Sequence, residues 1–342
     1  APLRFRKATM KLLVALCLAL LALAWALPIA EKGQSVDAVA AELIKEVNAD
    51  EDSSWTAGVN HVFAGMTMRE VREKMLGLLM DRKYHHVPVK THSHIADSAI
   101  PESFNAYEAW PEFCHPIRDQ AHCGSCWAFA ASEVLSDRFA IASNGTMNNV
   151  LSPEDLVSCD STDMGCQGGY LDHAWEYLKD TGIVTDTCFP YSAQKGKPAM
   201  CVNKCLNDEP FVKYKVSDFY QLKTEEDIQK DIMTNGPVEA GFVVYTSFMA
   251  YKSGVYHKKI LDMPEGGHAI KIVGWGIEPP KRKWQKPMKY WLCANSWTDK
   301  WGMNGFFKIK RGINMRGQSE CDIQGNVFAG HPLLTPAPAP EA

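Results

Sequence analysis

The sequence predicts an α+β fold of two lobes with a cleft between them. Three observations carry that expectation. The chain has 342 residues, which at about 150 residues per structural unit corresponds to two units. Helical apolar spacing dominates from Cys114 to about residue 215, and short strand-like runs divided by glycine-bearing turns dominate beyond about residue 236. Hydrophobic residues make up 46% and charged residues 22%, with ten tryptophans and fourteen phenylalanines, which supplies a sizeable core and excludes a disordered or collagenous chain.

At the N-terminus, Leu12 to Leu27 form an unbroken apolar run. Arg4, Arg6, Lys7 and Lys11 precede it, and small-x-small triplets at Ala22–Ala24 and Ala24–Ala26 close it. This layout reads as a secretory signal peptide over residues 10–26, cut near 24–30. The run is short for a membrane span, no later stretch is long enough, and no stable membrane anchor is expected. Eleven cysteines point to an oxidising compartment; Cys17 lies in the segment to be removed, which leaves ten.

Residues 31–99 have few glycines and no cysteines. Val36, Val39, Ala40, Leu43, Ile44 and Val47 fall at helical spacing behind Ser35 or Asp37 as cap. Thr67 and Glu70 form a capping-box pair, with Val71, Met75, Leu78 and Leu79 as the apolar face of a second helix. Such short helices need a larger body to lie on. Residues 81–99 are polar and read as an exposed linker open to proteolysis. His85, His86, His92 and His94 lack supporting ligands, so no metal site is expected there or elsewhere.

Further on, Ala128, Ala131, Leu135 and Phe139 make a helical stripe, Ser152-Pro153-Glu154-Asp155 is a helix start, and Leu171 to Lys179 a third helix halted near Gly182. VEAGFVVY, HAIKIVGWG, KYWLCANSW and GFFKIKRG read as strands. Residues 333–342 read as a flexible tail. With 36 basic and 40 acidic side chains, a net of −4, there is no basic stripe and no nucleic-acid partner is expected.

The segment Asp119 to Ala130, DQAHCGSCWAFA, carries the most chemistry. Cys126 stands where the helical stripe begins. A helix N-terminus offers unpaired N–H groups and a positive dipole end, which favour thiolate, the nucleophilic form. Gly124 and Ser125 just before it permit close approach to the backbone. Cys123 and Cys126 also have the spacing of a redox or zinc C-x-x-C pair, though no second C-x-x-C follows.

That segment resembles the nucleophile motif of papain-like cysteine peptidases. Gly266-Gly267-His268-Ala269-Ile270 resembles the family's histidine motif, Asn295-Ser296-Trp297 its asparagine motif, and Cys166-Gln167-Gly168-Gly169 its glycine-rich substrate-binding element, in the family's order. Within the family the likeness is to the cathepsin B branch, over about residues 100–332, with a looser likeness to its propeptide around Trp55–Leu79. The resemblance implies a papain-like two-lobe fold with a helical left domain (100–215), a β-barrel-like right domain (216–332) and the active-site cleft between them, behind a propeptide (31–99). It implies Cys126 as nucleophile, His268 as its base and acid, Asn295 orienting the imidazole under the shield of Trp297, and Gln120 with the Cys126 N–H as oxyanion donors. Gly124, Ser125, Gly168, Gly169, Tyr170, Gly267, Ala269, Trp297 and Asn326 would bind substrate.

By the same resemblance, Cys123 pairs with Cys166, Cys159 with Cys201 and Cys188 with Cys205, each bridge contributing about 2–4 kcal/mol. Cys114 meets Ala140 where the family has its usual partner, and Cys293 and Cys321 have no obvious partner. No cofactor is implied. The implied partners are peptide and protein substrates, the chain's own propeptide as inhibitor, and cystatin-type inhibitors, for a monomer in the lysosome, another acidic endosomal compartment, or secreted outside the cell. The alternative is a catalytically silent binding protein on this scaffold; such relatives usually lose the nucleophile, whereas Cys126, His268 and Asn295 are all present.

Two departures bear on specificity. Cathepsin B has a long occluding loop with paired histidines; here only SAQKGKPAM, Ser192 to Met200, lies between Tyr191 and Cys201. An endopeptidase with little dipeptide trimming is expected. The branch often has a glutamate at the floor of the pocket for the second residue before the cleaved bond. Asn326 aligns there, so that pocket, lined by Tyr170, Leu171 and Ala269, should prefer apolar side chains. Asn144-Gly145-Thr146 is a glycosylation sequon.

Overall fold

The structure is a computed structural model that describes residues 33–335 except Arg82, His85 and Ile260. The expected signal peptide lies outside the described residues. Helix α1 spans Val36–Ala49, and Ser35 caps it by accepting from the Ala38 N–H at 3.2 Å. Strand β1, Trp55–Ala57, follows, then α2, Met68–Lys74, closed at its start by the reciprocal Thr67–Glu70 bonds. Both helices do lie on a larger body. Val36, Ala40, Val47, Val71 and Met75 are buried in one cluster with Tyr251, Trp297 and Trp301 of the β-rich half.

Two readings of this region are corrected. Helix α2 stops at Lys74, so Leu78 and Leu79 belong to an extended run rather than to its apolar face. Residues 81–99 are not a free linker. His92 is only 2% exposed because its N–H donates to Asp227 and its ring pairs with buried Asp231 at 2.8 Å, while Lys90 N–H donates to Gln221 O.

In the helical half, α3 spans Cys126–Ala142, α4 Pro153–Cys159 and α5 Leu171–Asp180. Ser152 caps α4 through the Asp155 N–H, with Pro153 in the first turn. Every residue of α3 from Cys126 to Ala140 is buried, polar ones included. The polar ones find partners across the molecule. Arg138 meets Asp231 and the carbonyls of Pro237 and Gly330, and Lys271 of the sheet pairs with Asp137 at 2.6 Å. A buried charge persists only when paired in this way. These contacts pin the helix carrying Cys126 to the strand carrying His268. Cys123 is bonded to Cys166, Cys159 to Cys201 and Cys188 to Cys205, all within the helical half. Cys114, Cys293 and Cys321 are buried and free.

Among the described residues the sheet has nine strands: β1; β2, Phe104–Asn105; β3, Val216–Leu222; β4, Val238–Tyr245; β5, Tyr251–Tyr256; β6, Pro264–Glu278; β7, Met288–Ala294; β8, Phe306–Lys310; and β9, Asn326–Pro332. Its order is β1-β5-β8-β7-β6-β4-β9-β3, with β2 paired to β6. The two ends do not pair, so the sheet is open and the barrel-like expectation is corrected. It is mixed, since β5 and β8 run parallel and the other pairs antiparallel. β2 crosses over from the helical half of the chain. Helix α6, Glu225–Asn235, lies within the β-rich half, capped by Thr224 on the Asp227 N–H. No helix among the described residues is long and apolar enough to cross a membrane.

Candidate active site

Cys126 opens α3 and is fully buried. His268 stands on β6 opposite Phe242 of β4. Asn295 follows the last residue of β7, which pairs with β6 at Lys271–Ala294. That pairing brings Asn295 Oδ1 to 2.7 Å from His268 Nε2. The same oxygen accepts from the Ser296 backbone N–H at 2.9 Å, which fixes it as the acceptor. His268 Nε2 therefore carries the proton, and Nδ1, buried and without a partner, keeps its lone pair. Trp297 lies over the imidazole with ring centres 4.5 Å apart and planes at 31°, and Trp301 and Phe248 back it. Backbone N–H groups of Ala269, Gly77 and Trp127 point at the Cys126 thiol, so the sulfur sits beside the residue that follows His268.

In this covered form burial opposes the thiolate. Burial pushes the Cys126 thiol up to about 11 despite those three N–H groups. Burial also pulls His268 down to about 4, against the bond to Asn295 that raises it. Both groups are neutral between those values. The cause is removal of water, which penalises either charge more than a helix terminus repays.

Residues 75–80 of the N-terminal segment do the covering. Gln120 Nε2 donates to the Met75 carbonyl at 3.0 Å and to Cys123 O at 2.9 Å, while its Oε1 accepts from Ser296 Oγ at 2.7 Å. Leu78 N–H donates to Gly267 O at 3.1 Å, Leu79 N–H to Gly169 O at 3.0 Å, and Gly169 N–H to Gly77 O at 2.9 Å. The strand thus pairs parallel with Gly169 and antiparallel with Gly267, bridging both halves. A Cβ on Gly168, whose φ is +119°, would stand 2.7 Å from Gly77 O. Met75 and Gly77 were missed as cleft residues; the glycine three positions after a lysine-ended helix was the available signal.

Leu78 enters an apolar pocket. A Cβ on Gly241 would fall 2.5 Å from Leu78 Cδ2, 3.4 Å from Leu171 Cδ1 and 3.5 Å from Asn326 Cβ. Ala269 and Phe328 belong to the same buried cluster. Tyr170 stands at the rim, its hydroxyl donating to Asp81 at 2.7 Å. Gly124 is buried with its N–H on Cys166 O. Ser125 Oγ bonds Tyr191 OH at 2.9 Å. The short loop after Tyr191 is folded down: Glu154 accepts from the N–H groups of Ser192, Ala193 and Ala199. Asn144 is exposed in the turn after α3. His86 pairs with Asp172 at 3.0 Å and His92 with Asp231, and His85 lies outside the described residues. No three metal-ligating side chains cluster among the described residues.

A model of the papain family of cysteine proteases matches residues 100–331. The chain is 39% identical over 330 residues to cathepsin B-like cysteine proteinase 4 of Caenorhabditis elegans, covering 86% of this chain and 92% of that one. It is 39% identical over 251 residues to cathepsin B of Dictyostelium discoideum, covering 68% and 75%. Among solved structures it matches proCathepsin B S9 from Trypanosoma congolense with a TM-score of 0.75 at 32% identity, covering 85% of this chain and 98% of that one.

Proposed function

This chain belongs to the papain family of cysteine proteases and is cathepsin B-like, and from that premise we propose that it is made as a zymogen and works as an endopeptidase in an acidic endosomal or lysosomal compartment or outside the cell. Residues 31–99 are its propeptide and inhibitor. With the propeptide gone, water returns, His268 Nδ1 takes the Cys126 proton, and the thiolate attacks the substrate carbonyl. Gln120 Nε2 and the Cys126 N–H hold the oxyanion. The imidazolium protonates the leaving amine as the C–N bond breaks, and water then hydrolyses the thioester.

The observation that carries this reading is the imidazole itself: Nε2 is held by Asn295 at 2.7 Å and Nδ1 is free to accept a proton. Inhibition is supported by chain direction. In a substrate, the residue filling the Leu171–Ala269 pocket precedes the one whose carbonyl sits on Gln120. Here Met75 is on Gln120 and Leu78, three positions later, is in the pocket. The propeptide lies against the productive direction and offers no scissile bond. Leu78 also supports an apolar preference in that pocket, with Asn326 in its wall. The loop from Ser192 to Met200, tied to Glu154 and free of histidine, supports internal cleavage over dipeptide removal.

The test is acid treatment of the purified precursor, followed by labelling with an epoxide affinity reagent and a comparison of internal with C-terminal cleavage. Labelling on Cys126 and internal cuts are expected. An unlabelled Cys126 after removal of residues 31–99 would overturn the reading, and rapid release of C-terminal dipeptides would overturn the endopeptidase assignment.

A further inference from the structure

Away from the cleft, residues 279–287 connect β6 to β7. They hold Lys281, Arg282, Lys283 and Lys286 with no acidic residue, and Lys289 follows. Trp284 is 69% exposed, with the Arg282 guanidinium 5.2 Å from its ring centre. An acidic turn of the N-terminal segment, Asp50-Glu51-Asp52, rests on this loop. Arg282 pairs with Glu51, Gln285 Nε2 donates to Asp52 Oδ1 at 3.2 Å, and Lys281 Nζ donates to Ser53 O at 2.9 Å. Lys283 and Lys286 are exposed and form no ion pair with any described residue. Beside the loop is a cavity of about 500 Å³ whose lining includes Lys281, Lys286, Lys289, Lys310 and Arg311; Lys289 and Arg311 are paired with Glu225, which leaves Lys281, Lys286 and Lys310 as the cations open to a ligand. Its acidic lining is Asp52, which belongs to the N-terminal segment, and Glu278, which is paired with Lys308.

We propose that, once the N-terminal segment is removed, this basic loop and cavity form a second binding site that captures acidic stretches of peptide or protein substrates. The proposal rests on the peptidase reading above. The chain's own acidic turn shows the kind of group the loop accepts, and its departure leaves Lys281 and Arg282 without those partners and strips Asp52 from the cavity wall. Exposed ion pairs are individually weak and exchange readily. Clustered cations focus a field that attracts an anionic segment, and a substrate held at two places gains effective concentration at the cleft. Trp284 adds an apolar contact between the charges.

The experiment uses the mature enzyme and two unfolded protein substrates with one cleavage sequence. They differ only in a distal Asp/Glu tract, replaced by Asn/Gln in the second. At low ionic strength the acidic substrate should show a KM about fivefold lower with kcat unchanged, an advantage lost at high salt. It should also be lost in the triple variant Lys281→Glu, Arg282→Glu, Lys286→Glu. A fluorogenic dipeptide cleaved equally by both enzymes shows the variant's cleft intact. Anisotropy of a labelled peptide of residues 46–53, which stops short of β1, reads the loop without catalysis and should show binding to the mature enzyme and none to the variant. Equal KM values for the two substrates, or a preference or binding that persists in the variant, would overturn the proposal. Failure to cleave the dipeptide at all counts against the peptidase reading, while the binding arm still decides this one.

Discussion

Gly77 and Gly124 meet backbone to backbone: a Cβ built on Gly77 would lie 1.8 Å from the Gly124 carbonyl oxygen and 2.7 Å from its Cα. Neither neighbour is a side-chain tip that can swing away. The N-terminal strand crosses the cleft this closely only because residue 77 has no side chain.

Gly77→Ala should therefore loosen the cover without touching the body of the enzyme. The isolated segment should inhibit the mature enzyme at least tenfold less well, and the precursor should react with the epoxide reagent before acid treatment. The melting temperature of the mature enzyme, which lacks residue 77, sets the reference. A variant precursor as latent as the wild type would show that the close approach does not hold the cover.

The hold of the segment should weaken as pH falls. Covered His268 lies at about 4, below its ordinary 6.5, because burial disfavours its charged form. Uncovering alone moves the Cys126 proton to His268 with no net uptake; where acid also reprotonates the uncovered thiolate, the uncovered pair holds one proton more than the covered one, which resists it down to about 4, so acid favours uncovering. Dissociation constants of the labelled segment, read by anisotropy so that an inactive variant can be compared, should rise as pH drops towards 4 and level off below. Replacement of His268 by asparagine should flatten that part of the profile, and an unchanged profile would rule this linkage out.

Gln120→Ala should lower kcat about 10²–10³-fold, the loss of one oxyanion donor, with little change in KM. Gln120 also bonds Cys123 O and Ser296 Oγ, so circular dichroism and melting curves must accompany the kinetics. A drop in kcat of less than tenfold in a well-folded variant would remove Gln120 from the oxyanion role.

Asn326→Glu should open the Leu78 pocket to arginine. The wild-type wall offers Gly241, Leu171, Ala269 and a neutral amide, so a buried guanidinium finds no counter-charge there. In paired fluorogenic substrates the ratio of kcat/KM for arginine over leucine at the second residue before the cut should rise at least tenfold. Equal ratios would mean that residue 326 does not face the substrate.

Features determined within a few residues were legible in the sequence. The Thr67–Glu70 box and the Ser152–Asp155 start are four-residue patterns, and the structure has both. Features made by distant contacts were not. Helix α6 buries little beyond Ile228 and Ile232 on its apolar side, too thin a stripe to read, although Thr224 and three acids in its first turn were a signal. The α3 stripe hid a helix buried all round, since Glu133, Asp137 and Arg138 look exposed until Lys271 and Asp231 are found. His92 looked like linker for the same reason. His268 and Asn295 were nameable only through resemblance, because strand pairing, not spacing, brings them together. The burial that opposes the Cys126 thiolate was hidden, because it depends on a strand nearly fifty positions earlier.

Strand β1 holds a further consequence. It is the outermost member of the sheet, with Trp55 opposite Gly254 and Thr56 opposite Ser253 of β5. Detaching the chain ahead of residue 100 turns β5 from an interior strand into a rim, with its outward amides and carbonyls facing water. The freed molecule thus gains a raw border onto which another extended polypeptide can be laid.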